Sequence, residues 1–508
     1  LNPKAAVERI GSSGSATGAT AVEGALAIEN VAVIAMDGAP EASRVRRGMT
    51  VVVEGGRVRA VGPAGKVEVP RGATHIDGTG RYLIPGLRDM HIHLVGETGE
   101  RALRRLLAFG VTGARVMAGS PAVLQFRERI RRGELSGPDL YVAGPILEGV
   151  APAGFEELID NRGKVIVHDS VEAARVVREQ STAGYDFIKI YNNLPADAFR
   201  GIVVEARRLR LPVAGHVARA VGLDGALSAR QASIEHLRAY ERALVPVNAP
   251  QQPGPDLRSV TLSWAYADAA KIRAVAERTR DAGVWNVPTL TTRLAFASDS
   301  EAASYLRSEG ATAEQANTYL ARRRSIPWLS NFTPADFVAA KAGYAVQDSL
   351  VRALVAVGAG VMAGTDSPPY GNALHRELEL LVAAGLTPYQ ALESATRSPA
   401  KFLDLKDGGG TVAVGAPADL VLLDANPLEK ISNTRSIRGV VRRGVWLDRA
   451  ALDSLLADAA ASTAGEPESS SSPDSRRAII ETADEKNIGP QKRIKLLDPK
   501  AALDLIVR

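Results

Sequence analysis

Short runs of alternating apolar and polar residues, broken by glycine turns, fill residues 22–84: "ALAIENVAVIAMDG", "MTVVVEGGRVRAVG" and "ATHIDGTGRYLIPG". A period of two is the signature of a strand with one buried face, and no helical period of 3.6 interrupts it here. The same texture returns in "GGTVAVGAPADLVLLDANP" and "IRGVVRRGVWLD", after residue 408. The two stretches, 22–84 and 405–460, are therefore expected to pair into a small β-sandwich built from both ends of the chain, with a closing helix at the second.

Between them lie eight short apolar segments, each leading into a helical pattern: "GLRDMHIHL" (86–94), "GVTGARVM" (110–117), "DLYVAGPI" (139–146), "DFIKIY" (186–191), "LPVAGHV" (211–217), "ASIEHL" (232–237), "GVWNVPTL" (283–290) and "AGVMAGTDS" (359–367). Eight repeats of strand then amphipathic helix predict an α/β fold, a (β/α)8 TIM-type barrel over residues 85–404. A doubly wound open sheet is the alternative. It would normally carry a glycine-rich phosphate turn after its first strand, and no such fingerprint occurs. Two stretches too long for ordinary connections, 238–262 and 293–345, are expected to form a lid over the pocket.

The ends read differently. Residues 1–21 form an N-terminal tail, "STAGEPESSSSPDSRR" marks a Ser/Pro-rich linker at 461–480, and 481–508 a C-terminal tail. The chain opens on Leu1 with no basic-then-apolar leader, so it is read as a soluble protein, cytoplasmic or exported after removal of a signal not present in this sequence.

Composition narrows the chemistry. With no cysteine there is neither a disulfide framework nor a thiolate metal site, which leaves His, carboxylate and Lys as metal ligands. Basic residues number 62 against 57 acidic, spread along amphipathic stretches, and aromatics are only 5%, which argues against nucleic-acid binding. No apolar run is long enough to span a membrane.

The histidines are few and concentrated. His91 and His93 lie at i and i+2 of one strand, so both imidazoles project to the same face and suit a metal chelate. His216 ends "VAGH", His236 ends "SIEH" and Asp366 ends "MAGTD", which puts three more metal-capable groups at the strand ends where barrel enzymes do their chemistry. Lys189, inside the apolar "DFIKIY", is disfavoured there as an ammonium. As a neutral amine it can take up carbon dioxide, and the resulting carbamate is an anionic ligand able to bridge two cations. Tyr191 shares its face and is read either as a donor to a substrate carbonyl oxygen or as a packing residue of the barrel lip. Arg219 and His375 are candidates to hold a substrate carboxylate, with bonding to a neighbouring acid as the alternative for each.

These segments, with "HRELELLVAAGLTPYQALESATRSPAKFLDL" and "GTVAVGAPADLVLLDANP" following in order, resemble the metal-dependent amidohydrolase superfamily, in texture its imidazolonepropionase-like and prolidase-like branch. The resemblance runs from about residue 24 to 457. It implies that His91 and His93 bind one metal, that His216 and His236 bind a second, that a carboxylated Lys189 bridges them, and that Asp366 contacts the first. Two divalent ions, zinc by preference, are the implied cofactors, with carbon dioxide as the carboxyl group on Lys189. The implied reaction is hydrolysis of a carbon–nitrogen amide bond by a metal-bridging hydroxide, with Asp366 carrying the proton and Tyr191 assisting at the carbonyl. A dipeptide, an Xaa-Pro or other N-acyl amino acid, or an aromatic amide of the ochratoxin type fits as the small-molecule substrate, and the protein is expected to be a homo-oligomer. Imidazolone or cyclic amidine hydrolysis, deamination, lactone or organophosphate hydrolysis, and a catalytically dead scaffold are the alternatives. Where many relatives read "TTVRD" after the second strand, this chain has "TGARVMAGS", and "GPILEGVAPAGF" replaces a histidine-containing glycine loop after the third. Both departures fall at the pocket lip and bear on the substrate.

Overall fold

The structure is a computed structural model that describes residues 24–94, 98–153, 163–308, 313–324, 332–367 and 370–461. The expected N-terminal tail and C-terminal tail lie outside the described residues, as does the linker apart from residue 461. Among the described residues no helix is long and apolar enough to cross a membrane.

Both chain ends build one sheet. Strands β1 (Leu26–Val33), β2 (Arg46–Glu54), β3 (Arg57–Pro63), β4 (Thr74–Asp77) and β5 (Tyr82–Pro85) come from the first end. They are joined by three strands from the second end, Leu420–Leu423, Ile437–Arg442 and Val445–Asp448. β5 pairs antiparallel with Leu420–Leu423, Ile84 opposite Val421, and this ladder ties the two ends together. Where a sandwich is expected, the ladders trace a single continuous eight-stranded sheet, with β4 attached to β1. The β2–β3 hairpin turns on Gly55 and Gly56, whose φ of 57° and 75° suit the two-residue turn that matches strand twist. Period-two alternation fills both faces. Leu420 and Leu422 pack with Leu26, Ile28 and Val51 in the sheet's own core, whereas Val421 and Leu423 turn to the main core with Leu87 and Leu107. A strand buried on both sides reads as the unbroken apolar run "LVLL".

The middle of the chain is parallel. A three-stranded sheet holds β6 (Leu87–Ile92), β7 (Val111–Val116) and β8 (Asp139–Val142). A six-stranded one holds β9 (Leu147–Glu148), β10 (Val165–Ile166), β11 (Ile188–Ile190), β12 (Val213–Gly215), β13 (Ser233–Glu235) and β14 (Trp285–Val287). Backbone bonds connect them: Asp186 N donates to Val142 O and Gly144 N to Phe187 O. On the far side Met362 N donates to Asn286 O, and the segment it begins returns to β6, where Met90 N donates to Ala363 O and Asp366 N to His91 O. All eight apolar segments of the sequence thus take part in parallel pairing, the eighth through a bridge at Val361. The short β9–β10 pair was not anticipated.

Helices cover this unit, among them Ser170–Thr182, capped by the Asp169 carboxylate, and Pro334–Ala356, which opens with a reciprocal Thr333–Asp336 capping box. The stretches expected as long lids are in large part helical instead. Residues 238–262 contain Tyr240–Leu244 and most of Leu257–Ser263, and 293–345 contain Asp299–Ser308, Ala313–Arg324 and the start of Pro334–Ala356. Ala340 and Leu320 bury apolar surface there, which a bare loop would leave exposed.

Candidate functional site

Five of the predicted residues meet at the C-terminal ends of the parallel strands. His91 lies in β6 and His93 just beyond it, and their Nε2 atoms stand 3.8 and 3.2 Å from Asp366 Oδ1. His236 Nε2, from the end of β13, is 3.6 Å from Asp366 Oδ2. His216, after β12, packs edge-on to His236 with ring centroids 4.9 Å apart. Lys189, in β11, is 1% exposed beneath them. It passes close under the backbone of Gly215, where an added Cβ would come within 2.9 Å of Lys189 Cδ and 2.3 Å of Ile190 O, so glycine is required just before His216.

Strand alternation alone would not deliver all of these. Ser233 and Glu235 share a face of β13, and His236 belongs to the other. It reaches the site because His236 and Leu237 adopt φ of 58° and 53°, and Asp366 likewise sits at 47°. Left-handed backbone is unfavourable for such residues, and it persists here because neighbouring bonds hold it, His236 N donating to Val287 O and Asp366 N to His91 O.

The hydrogen bonds on the far side of each ring fix its tautomer. His91 Nδ1 lies 2.8 Å from the Glu235 carboxylate, which can only accept, so Nδ1 carries the proton. His216 Nδ1 faces Asn192 Oδ1 at 2.9 Å. His236 Nδ1 faces Thr289 Oγ1 at 2.6 Å, and that hydroxyl already donates to Pro288 O. In all three rings the Nε2 lone pair is therefore left free, and those of His91 and His236 point at Asp366. Burial pushes His91 and His216 well below the ordinary imidazole range and His236 down to about 3, so the rings are neutral. Burial pulls the Lys189 ammonium down to about 8 against the pull of Glu235 and Asp366.

This arrangement fits a divalent cation. Lone pairs of His91 and His236 converge with the Asp366 carboxylate, all within 4.8 Å of one another, and buried Asp366 Oδ1 has no hydrogen-bond partner. Electron pairs gathered in a buried pocket repel unless a positive charge lies among them, and two nitrogens with carboxylate oxygens are the donor set of zinc and its neighbours. Tyr191 stacks on His216 at 3.9 Å between centroids, with Lys164 Nζ 4.1 Å from its ring centre.

Two predicted substrate contacts fare differently. Arg219, tied through its backbone N to Asn192 O, stays beside the site and donates from Nη1 to Pro255 O. His375 is corrected: fully buried on helix Asn372–Ala383, it spends Nδ1 on Thr434 Oγ1 and Nε2 on Phe109 O, leaving neither nitrogen for a substrate. Sequence reasoning missed the supporting residues. Glu235 accepts from Arg115 and Ser233 as well as His91. Asp89, pushed up to about 7 by burial, accepts from His91 N and from Thr365 N and Oγ1, which knits the first segment to the eighth. A charged residue inside an apolar strand, as in "TGARV" and "SIEH", was the available signal.

The chain is similar to dihydroorotase of Mycobacterium tuberculosis, 25% identical over 406 residues that cover 74% of this chain and 85% of that one. It is also similar to imidazolonepropionase of Stenotrophomonas maltophilia, 45% identical over 73 residues, 14% of this chain and 17% of the relative. Among solved structures, a putative prolidase from Bifidobacterium longum superposes with a TM-score of 0.61 at 23% identity, covering 86% of this chain and all of that one. The amidohydrolase family model matches residues 82–447, from β5 through every residue of the site to the last strand of the sheet, and the chain is thus a member of the amidohydrolase family of hydrolases.

Proposed function

We propose that this hydrolase uses two divalent cations, zinc by preference, to cleave the carbon–nitrogen amide bond of a small molecule: a dipeptide, an Xaa-Pro or other N-acyl amino acid, or an aromatic amide. The observation that carries the reading is the convergence of the His91 and His236 Nε2 lone pairs on the Asp366 carboxylate, one of whose oxygens is unpartnered, with His216 packed against His236. The parallel segments are read as a (β/α)8 barrel, with this cluster at its catalytic end. His91 and His93 would hold one cation, His216 and His236 the other, Lys189 would bridge them as its carbamate, and Asp366 would contact the first. When bound, such cations acidify a water and polarise the scissile carbonyl. Asp366 accepts the proton of the attacking water and returns it to the leaving amine, which is too basic to depart unprotonated. Tyr191, pinned by its stack on His216, presents its phenol towards the carbonyl oxygen as negative charge develops there. Arg219, bonded through its backbone to Asn192 beside His216, would meet a substrate carboxylate.

The test combines metal analysis with a substrate screen. Protein stripped by chelation and reconstituted with zinc and bicarbonate should bind about two ions per chain, as two-metal hydrolases do. It should release amine from dipeptide or N-acyl amino-acid libraries only when loaded. One ion per chain at full activity, with ammonia as the product, would instead favour a deaminase.

A further inference from the structure

The β13 segment carries a buried network that the reaction does not touch. Arg115, from β7, is wholly enclosed and spends every nitrogen: Nε on Met90 O at 2.7 Å, Nη1 on Ser233 Oγ at 2.8 Å, and Nη2 on both Glu235 oxygens at 2.8 and 2.9 Å. Ser233 Oγ donates to Glu235 Oε1 at 2.6 Å. Glu235 Oε2 then faces His91 Nδ1 at 2.8 Å. An anion at 0% exposure is costly without a partner, and Arg115 supplies one through Nη2, which bonds both carboxylate oxygens. Filling space does not explain it, because an apolar side chain would do that at no electrostatic cost.

We infer that Glu235, anchored by Arg115 and Ser233, is a positioning residue that locks His91 in the tautomer whose Nε2 can bind a metal. The inference rests on the proposed metal site. A ring held by Nδ1–H to a fixed carboxylate can neither rotate nor move its proton to Nε2, and it becomes a stronger donor at Nε2. Its specificity lies in the order of the bonds. Arg115 Nη2 donates to both carboxylate oxygens and Ser233 Oγ adds a second donor at Oε1 alone, so in Glu235→Gln the amide oxygen is held at the doubly contacted Oε1 position and the amide NH2 meets His91 Nδ1. Donor would face donor. His91 escapes by moving its proton to Nε2, where the lone pair aimed at Asp366 disappears.

The experiment is competitive titration of the metal-free full-length protein with zinc against a chelator, paired with 15N NMR of the histidine ring nitrogens before zinc is added. Glu235→Gln should show the His91 ring signals exchanged between Nδ1 and Nε2 and zinc affinity weaker by ~10- to 100-fold, the usual effect of losing such a partner. Unchanged ring signals with wild-type affinity overturn the inference. Glu235→Asp separates positioning from support and decides the matter if the Gln variant does not fold. Its carboxylate keeps the ion pair with Arg115 but retreats from His91 by a methylene, so thermal stability should hold while zinc affinity drops by about tenfold. Wild-type zinc affinity in Glu235→Asp overturns positioning. A wild-type protein that binds no zinc overturns the proposed function itself, an outcome visible before any variant is compared.

Discussion

Lys189 offers a quantitative test, because its burial changes both its reactivity and its cost. With a pKa of about 8, about a tenth of the side chain is neutral at pH 7, against about one part in three thousand for a lysine at its ordinary 10.5. The amine that can capture carbon dioxide is thus enriched about three-hundredfold. At fixed dissolved carbon dioxide, the carboxylation rate of metal-free protein should rise about tenfold from pH 6 to 7 and level off above about pH 9, whereas an exposed lysine would go on accelerating past pH 10. The signal is the carbamate carbon in 13C NMR after addition of 13C-bicarbonate, assigned by its loss in Lys189→Met. Stability carries the same signature. Between pH 8 and 10.5 the unfolded chain keeps a proton on Lys189 that the folded chain has lost, so metal-free stability should climb with pH across that window. Below pH 8 both states are protonated and the full penalty, about 3 kcal/mol, is present. Lys189→Met should remove the penalty and flatten that part of the profile in urea titrations. A variant with the wild-type pH profile, or a wild-type protein with no carbamate signal at any pH, would refute the reasoning.

Three further outcomes follow from the site. Asp366→Asn keeps the shape of the side chain but cannot accept the proton of water, so turnover should fall ~10² to 10⁴ while both metals largely remain by elemental analysis. Loss of both metals would make Asp366 chiefly a ligand. Tyr191→Phe retains the stack on His216 and loses only the phenol, so kcat should drop by ~10² with KM little changed, and an unaltered kcat would return Tyr191 to a packing role. His375→Ala leaves Thr434 Oγ1 and Phe109 O without their ring partner, so denaturant titration should show a loss of ~1 to 3 kcal/mol, while an increase in KM without that loss would restore His375 to the substrate site.

Much of the site could be read in the chain because each candidate ligand ends an apolar run. "MHIH", "VAGH", "SIEH" and "AGTD" place polar groups where short buried segments stop, and "DFIKIY" places a lysine where burial forbids an unaltered ammonium. Arg219 and His375 were chosen on weaker grounds, as cations near those runs. Sequence distance does not say what a cation faces, and His375 faces Thr434, 59 residues away, and the backbone of Phe109. The helices inside the stretches expected as lids went unread for a related reason: "TPADFVAAKAGY" carries a capping signature that marks a helix start, but its apolar face is defined only by the helices and strands it packs on.

By itself the sequence determined the alternation of strand and helix, the pairing of the chain's two ends, and the kinds of atom available for catalysis, since period and residue type are local properties. The tertiary structure decided which of those atoms meet. Parallel pairing returns the eighth segment to the first, which sets Asp366 against His91 and His93 across more than 270 residues. Left-handed backbone at His236 and Asp366 turns side chains that alternation would have sent elsewhere into the same pocket. Glu235 and Arg115, 120 residues apart, form a pair only because tertiary packing brings β13 against β7, and no local pattern encodes the distance between two faces that the chain visits at different times.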